Sequence, residues 1–469
     1  MKKVFLLLLI IGIVLRFVVQ FIFPSFNVDE ISLGNNIKHS GFIELLHPLK
    51  SFQSAPPLYL WLQKLIITFS PLSFWINIKI LSFFSSVAGI VLFYLFIKKN
   101  NFNTVFLIMF VILLFNPFNL YNSLTVKQYT LDLAGILFLT LYFKAKFFEK
   151  YNWIFFIIWC MISNVGLFAC SGYLIFEFFK QTKSINLKSI LTFINKKRLT
   201  FIAPVPYVIY FIWYMKQDGS QEMREFMVHY WYNSFIPLNS GIFKFIIYNL
   251  HGLWVYFFSA VEVWGMFLML LMVPAFYFFQ KRAILFRQEI ALLLCVVFIH
   301  LILNFLHMYP FSDRLYLYIL PLMLLWFGSS ISSIFQTEKI KKILFSFVIF
   351  ISLITFCLYC LYLPHKENDV VALNYRLNIL NSREIYATEK AKKCISTFND
   401  FTDNKFISNK KITLLDSTLT KSSYIVTRVH NKIKFNTTSP EENIIKKLLI
   451  GKKIILVDKV SGYNIYYIN

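Results

Sequence analysis

Residues 2–31 read KKVFLLLLIIGIVLRFVVQFIFPSFNVDEI, an apolar run that starts behind two lysines and ends just before an adjacent pair of carboxylates, Asp29 and Glu30. A helix needs about 20 mostly apolar residues to cross a bilayer, and this run supplies them. The basic start also fits a secretory signal. No small-residue cleavage site follows, Arg16 interrupts the run, and further apolar runs come later, so the segment is expected to stay as a first membrane span. Arg16 lies about 10 Å below the outer end at 1.5 Å per residue, where it either snorkels or meets a carboxylate.

The composition of the chain extends this reading. Its 469 residues are 58% hydrophobic, 19% aromatic and 15% charged, with a mean hydropathy of +0.62. Soluble domains are less apolar and more charged, so these figures exclude an ordinary soluble protein, a disordered chain and a small disulfide scaffold. The net charge of +24 would point to nucleic acid on a soluble protein. In a membrane protein its distribution matters more, and no nucleic-acid partner is expected. The last 105 residues carry 18 of the 47 basic and 10 of the 23 acidic residues with ordinary polar content. Two regions are therefore expected: a membrane region over 1–363 and a small polar domain over 364–469.

Apolar runs place candidate spans at 4–23, 72–97, 104–121, 129–143, 152–170, 165–180, 200–215, 252–280, 289–308, 314–333 and 343–363, a total of about eleven in which the fifth and sixth blur together. Lys2, Lys3, Lys98, Lys99, Lys144, Lys146, Lys150, the run from Lys180 to Arg198, Lys281, Arg282, Arg287, Lys339, Lys341 and Lys342 fall on alternate connections and mark the cytoplasmic side. The amino terminus is then inside and the polar domain outside. Residues 24–71 form a long first outer loop. Its apolar stretch from Pro56 to Phe69 is too short to span and reads as an interfacial helix.

The polar tail alternates as an α/β domain. Helices are expected at Asn368–Leu380, Glu389–Phe398 and Pro440–Leu449. The stretches REIYAT, KITLLD, SYIVTR, KIILVD and NIYYIN read as strands. The tail holds no Gly-rich phosphate loop and no His or acidic cluster. Five cysteines fall in apolar runs and Cys394 is alone in the tail, so no disulfide framework is expected; the CxxC of Cys357 and Cys360 reads as two small residues of an apolar helix.

Ionisable groups on the outer side are few enough to weigh singly. Asp29 and Glu30 suit general-base work if one is held in a partly desolvated pocket, or they are a solvated helix start. SLTVKQYTLDL places Lys127, Gln128, Tyr129 and Asp132 at the outer end of the fourth span. Lys127 departs from the charge rule there, and Asp132 is a candidate helical neighbour for it. HMYPFSDRLYLYILPLMLL supplies His307, Tyr309, Asp313 and Arg314, where Arg314 suits fork-geometry binding of a phosphate or caps a helix with Asp313. Glu262 is a buried acid in need of a partner, while Glu177, near the cytoplasmic end, can be solvated. The aromatic run His229, Tyr230, Trp231 and Tyr232 lines a sugar site or lies at the interface. The histidines are too scattered for a metal-ligand spacing.

In their order along the chain, these features resemble the GT-C superfamily of polytopic glycosyltransferases, in particular the branch of protein O-mannosyltransferases and the lipid A aminoarabinose transferase, glycosyltransferase family 39. The points of contact are the acidic pair after the first span, the proline-led APPLYLWL, KQYTLDL on a later outer edge, and YPFSDRLYLYILPL near the last spans. Where the family often has a His before its proline pair, this chain has Ala55.

The resemblance implies a GT-C-like membrane region with a small extracytoplasmic domain, in the inner membrane of a bacterium. It implies transfer of one sugar from a polyprenyl-phosphate donor to a hydroxyl of a glycan, lipid or protein acceptor, inverting the anomeric centre. Asp29 would act as base with Glu30 beside it. Lys127 and Arg314 would hold the donor phosphate, with Gln128, Tyr129, Tyr309 and Asp313 around the substrate. No cofactor is expected, since the lipid-linked sugar is a substrate, and a divalent metal is left open. A polytopic transporter or lipid flippase is the alternative, and it predicts midplane charges and an internal repeat, of which none is evident. A non-catalytic envelope scaffold is a third.

Overall fold

TVFLIMFVILLF has no polar face, and a helix apolar all round must be surrounded on every side. That is where it lies: from Thr104 to Leu114 every residue of helix Thr104–Phe115 is buried. The computed structural model describes residues 2–22, 26, 28–182, 185–237, 241–258, 286–334, 337–362, 370–380, 382, 384–401, 410–415, 423–428, 454–460 and 463–468. Around the central helix, α5, pack α1 (Lys2–Phe17), α4 (Phe74–Lys99), α16 (Leu320–Ile334) and α17 (Glu338–Tyr362). Between α1 and α4 lie α2 (Val28–His39) and α3 (Pro57–Phe69) of the first loop. After α5 come α6 (Pro117–Leu124), α7 (Tyr129–Tyr142), α8 (Lys146–Ile162) and α9 (Asn164–Gln181). Next are α10 (Leu187–Lys196), α11 (Arg198–Ile202), α12 (Val205–Tyr214), α13 (Ser220–Tyr230), α14 (Ile242–Phe258) and α15 (Arg287–Phe305).

Among the described residues, three helical stretches are long and apolar enough to cross a membrane: Lys2–Phe21, Phe74–Lys99 and Arg287–Phe305. Thr104–Phe115, Tyr129–Tyr142, Ile242–Leu253 and Leu317–Ser332 are shorter apolar helices. The expected single span over 104–121 is two helices. Asn116 accepts a hydrogen bond from the Asn119 amide (2.6 Å) and caps a new helix. Pro117 at its first position lacks the N–H that a continuing helix would need. The blurred fifth and sixth spans part at Ser163, whose hydroxyl accepts from the Val165 amide (3.0 Å). The chain turns tightly there: a Cβ on Gly166 would lie 2.5 Å from the Trp159 carbonyl carbon. Most of the expected eighth span, with Glu262, lies outside the described residues.

Glu177 is not solvated as expected. It is buried at the end of α9, accepts from Gln181 (2.7 Å) and pairs with Lys180 (3.2 Å) and with the equally buried Lys197 (3.6 Å). A basic cluster neutralises it, as burial of a carboxylate demands.

The C-terminal part forms α18 (Val370–Ile379), α19 (Glu389–Phe401) and a five-stranded sheet. Its strands are β1 (Glu384–Ala387), β2 (Lys411–Leu414), β3 (Ser423–Arg428), β4 (Ile454–Val460) and β5 (Tyr463–Ile468), in the order β2-β1-β3-β5-β4. β1 runs parallel to both β2 and β3, and α19 is the crossover that parallel pairing of β1 with β2 requires. β5 pairs antiparallel with β3 and β4. The expected elements of the tail are met in order, except that Pro440–Leu449 lies outside the described residues. One apolar core joins this sheet to the first loop: Phe26, Ile31, Leu33, Leu60, Phe74 and Ile78 pack with Leu373, Ile385, Ile395 and Phe398. The helix that carries the acidic pair is thus clamped between the membrane helices and the sheet unit.

Candidate active site

Asp29 and Glu30 occupy the first turn of α2, where the helix dipole favours negative charge. Glu30 is buried and Asp29 half-buried. The other end of α2 is held by Lys64, whose ammonium donates to the carbonyls of Ile37 (3.0 Å) and Lys38 (3.1 Å). Asn35 in its middle donates to the Thr397 carbonyl of α19 (3.4 Å). Helix α3, the expected interfacial segment, begins at Pro57 with Pro56 as its cap, so the proline pair sets its start.

α3 presents Tyr59 and Gln63, one turn apart, to the N-terminal part of α4. The Gln63 amide donates to the Tyr59 hydroxyl (3.0 Å) and to the Ile78 carbonyl (3.2 Å). Burial pushes the Tyr59 phenol above its ordinary range, hydrogen bonds from Gln63 and Ser82 offset part of this, and the nearby Tyr129 and Glu30 add to it. Tyr59 therefore connects the acidic pair to the KQYTLDL stretch. Ser82 of α4 is the hub: its hydroxyl donates to the Thr125 carbonyl (2.6 Å), and its own carbonyl accepts from the Thr130 hydroxyl (3.3 Å). From the last turn of the first span, Gln20 donates to the Lys79 carbonyl (3.0 Å).

Lys79 itself is fully buried one turn above Ser82, with its ammonium 4.1 Å from the centroid of the Phe26 ring. A cation inside a membrane protein is costly and marks function by default. Deeper on the same face of α4, Ser86 accepts from Arg16 Nε (2.7 Å), and Arg16 Nη1 donates to the Gly12 carbonyl (3.1 Å). Arg16 is fully buried, so it neither snorkels nor, among the described residues, meets a carboxylate.

A second polar group adjoins the first. Asp132 of α7 accepts a short hydrogen bond from Ser163, the cap of α9. The Tyr309 phenol is raised well above its usual range by burial, then by the Asp132 carboxylate and Tyr129, while Asn164 hydrogen-bonds it. Asn164 also accepts from Tyr207 (2.8 Å). His300 bonds Tyr318 (2.7 Å) and the Pro310 carbonyl (3.1 Å), and Asn304 donates to the Tyr309 carbonyl (3.1 Å). These bonds order the 306–312 connection over the end of α15.

Glu30, Tyr129 and Tyr309, read from three separate motifs, thus lie within electrostatic range of one another by way of Tyr59 and Asp132. Gln128 is buried at the start of α7. Lys127 is half-buried in the linker before α7 and is not a helical neighbour of Asp132, because the helix begins only at Tyr129. Asp313 and Arg314 open a 3-10 turn, Asp313–Ile319, and their side chains lie outside the described part. Sequence reasoning missed Gln20, Tyr59, Gln63 and Lys79. Lys79 carried a signal, a lysine inside an apolar span. Among the described residues no group of three or more His, Cys, Asp or Glu is arranged to hold a metal ion.

No protein-family model matches the chain, and no curated protein matches it. Solved structures do. The crystal structure of ArnT from Cupriavidus metallidurans bound to undecaprenyl phosphate superposes with a TM-score of 0.53 at 10% identity, over 98% of this chain and 97% of that one. The apo state of the same protein gives 0.51 at 8%, over 99% and 98%. The Archaeoglobus fulgidus oligosaccharyltransferase in complex with zinc and sulfate is more distant, at 0.45 and 12% over 90% of this chain and 68% of that one. Over nearly its whole length the chain shares the fold of these ArnT structures, and it is mostly helical with a small C-terminal sheet.

Proposed function

We propose that the protein is an integral membrane glycosyltransferase of the bacterial inner membrane. It moves a sugar from a polyprenyl-phosphate donor to an acceptor hydroxyl on the outer face, with its amino terminus inside and its C-terminal domain outside. The observation that carries this reading is the nearness of the acid-bearing turn, Tyr59, Tyr129 and Asp132, in a fold shared with a protein crystallised with undecaprenyl phosphate. Two adjacent carboxylates at a helix start, one of them half-buried, suit a general base.

In the reaction the acceptor oxygen attacks the anomeric carbon and the bond from that carbon to the phosphate oxygen breaks. Asp29 takes the hydroxyl proton and the lipid phosphate leaves. A single displacement inverts the centre. Lys127, Arg314 and the buried Lys79 are the cations that would stabilise the charge of the leaving phosphate. Gln128, Tyr129, Tyr309 and Asp313 are assigned to the substrate's surroundings. The test is transfer of labelled sugar from polyprenyl phosphate by purified full-length protein. Asp29→Asn, equally folded, is expected to lose at least about a hundredfold in rate; full transfer by that variant would remove Asp29 as the base.

A further inference from the structure

Gln20, Gln63 and Gln128 are all buried, and the Oε1 atom of each has no hydrogen-bond donor among the described residues. Their positions are related. Gln63 from α3 and Gln20 from the end of the first span donate their Nε2 groups to consecutive carbonyls of α4, Ile78 and Lys79. Gln128 lies between Thr125 and Thr130, the two residues bonded to Ser82 one turn further along α4. Flipping the amide of Gln63 or Gln20 offers no relief, because it would set an oxygen against the carbonyl that Nε2 now satisfies. Buried amide oxygens are rarely left without a donor.

An acceptor has no use for a phosphate oxygen, which is itself an acceptor. It needs an O–H or N–H group. Three such acceptors around the 78–82 turn of α4, with the cation Lys79 on that turn and Arg16 of α1 bonded to Ser86 further along, divide the place by chemistry into a hydroxyl-accepting part and a charge-accepting part.

We propose that Gln20, Gln63 and Gln128 form the subsite for the sugar ring of the lipid-linked donor, accepting its hydroxyl groups. This rests on the donor reading given above.

The probes are bare undecaprenyl phosphate and a panel of undecaprenyl-phosphate hexoses and pentoses, with binding measured on purified full-length protein. The wild type is expected to bind at least one sugar-bearing lipid more tightly than the bare lipid. Gln63→Met and Gln20→Met are each expected to weaken that lipid about five- to tenfold, the worth of a neutral hydrogen bond, while the bare lipid changes less than about twofold. Equal loss for both lipids means a structural role and overturns the proposal. No loss for either means that water serves these oxygens, and it overturns the proposal too. A measurement free of variants stands beside these. Mono-deoxy analogues of the preferred sugar lipid are expected to bind the wild type about five- to tenfold more weakly at one or more positions, and uniform binding of all of them overturns the proposal. If the wild type binds neither the bare lipid nor any sugar lipid, the donor reading itself fails. If it binds the bare lipid but does not favour any sugar, only the subsite fails.

Discussion

The ammonium of Lys79 lies 4.1 Å from the centroid of Phe26, and the same ring meets Phe398 of the C-terminal helix at 6.2 Å. A cation in the N-terminal part of α4, the residue three positions before Asp29 and a side chain of α19 form one contact series. Lys79→Met, with retained folding checked by its thermal midpoint, is expected to lower transfer more than about tenfold. Unchanged transfer would place Lys79 outside the chemistry.

Phe398 is fully buried in the core that the sheet unit shares with the first loop. Phe398→Ala leaves a ring-sized hole and should cost about 3–5 kcal/mol. Because α2 shares that core, limited proteolysis should show faster cleavage in both the 24–71 loop and the C-terminal part. Faster cleavage in the C-terminal part alone would mean that the two do not share stability.

Ser163 has two tasks: it caps α9 through the Val165 amide and it donates to buried Asp132. Ser163→Ala removes both and is expected to destabilise the protein by about 2–4 kcal/mol, more than the loss of a cap alone. Asp132→Asn with Ser163 intact should cost less, and chemical denaturation of the two variants checks the order.

Glu338, at the start of α17, accepts from Lys341 (2.9 Å) and from Thr104 of α5 (3.1 Å). The bond from Lys341 first, then that from Thr104, holds its carboxyl below the usual range. A depressed carboxylate stabilises the fold at pH above its unfolded value, about 4.3, and that contribution is lost as pH falls through the lower folded value. Hydrogen exchange at the starts of α5 and α17 should accelerate over that acid window in wild type. In Glu338→Gln it should be faster at neutral pH and insensitive to this change.

The sequence by itself determined that the chain is mostly apolar helix, because hydrophobic runs act locally through the cost of exposing or burying backbone and charge. It also determined the α/β order of the tail, through residue alternation and turn residues, and singled out Asp29, Glu30, Tyr129 and Tyr309 as candidate polar groups. Chain breaks at Asn116–Pro117 and Ser163 were within reach too, since both carry cap residues. Only the tertiary structure decided that Tyr59 and Asp132 lie near those polar groups, that Glu177 is neutralised by Lys197, and that Gln20 and Gln63 meet the carbonyls of Lys79 and Ile78 on one turn of α4. Each of these is a contact between elements far apart in the chain, set by which helix faces meet. The +24 charge gives no hint of it, because a buried lysine and a surface lysine are the same letter until packing removes one of them from water.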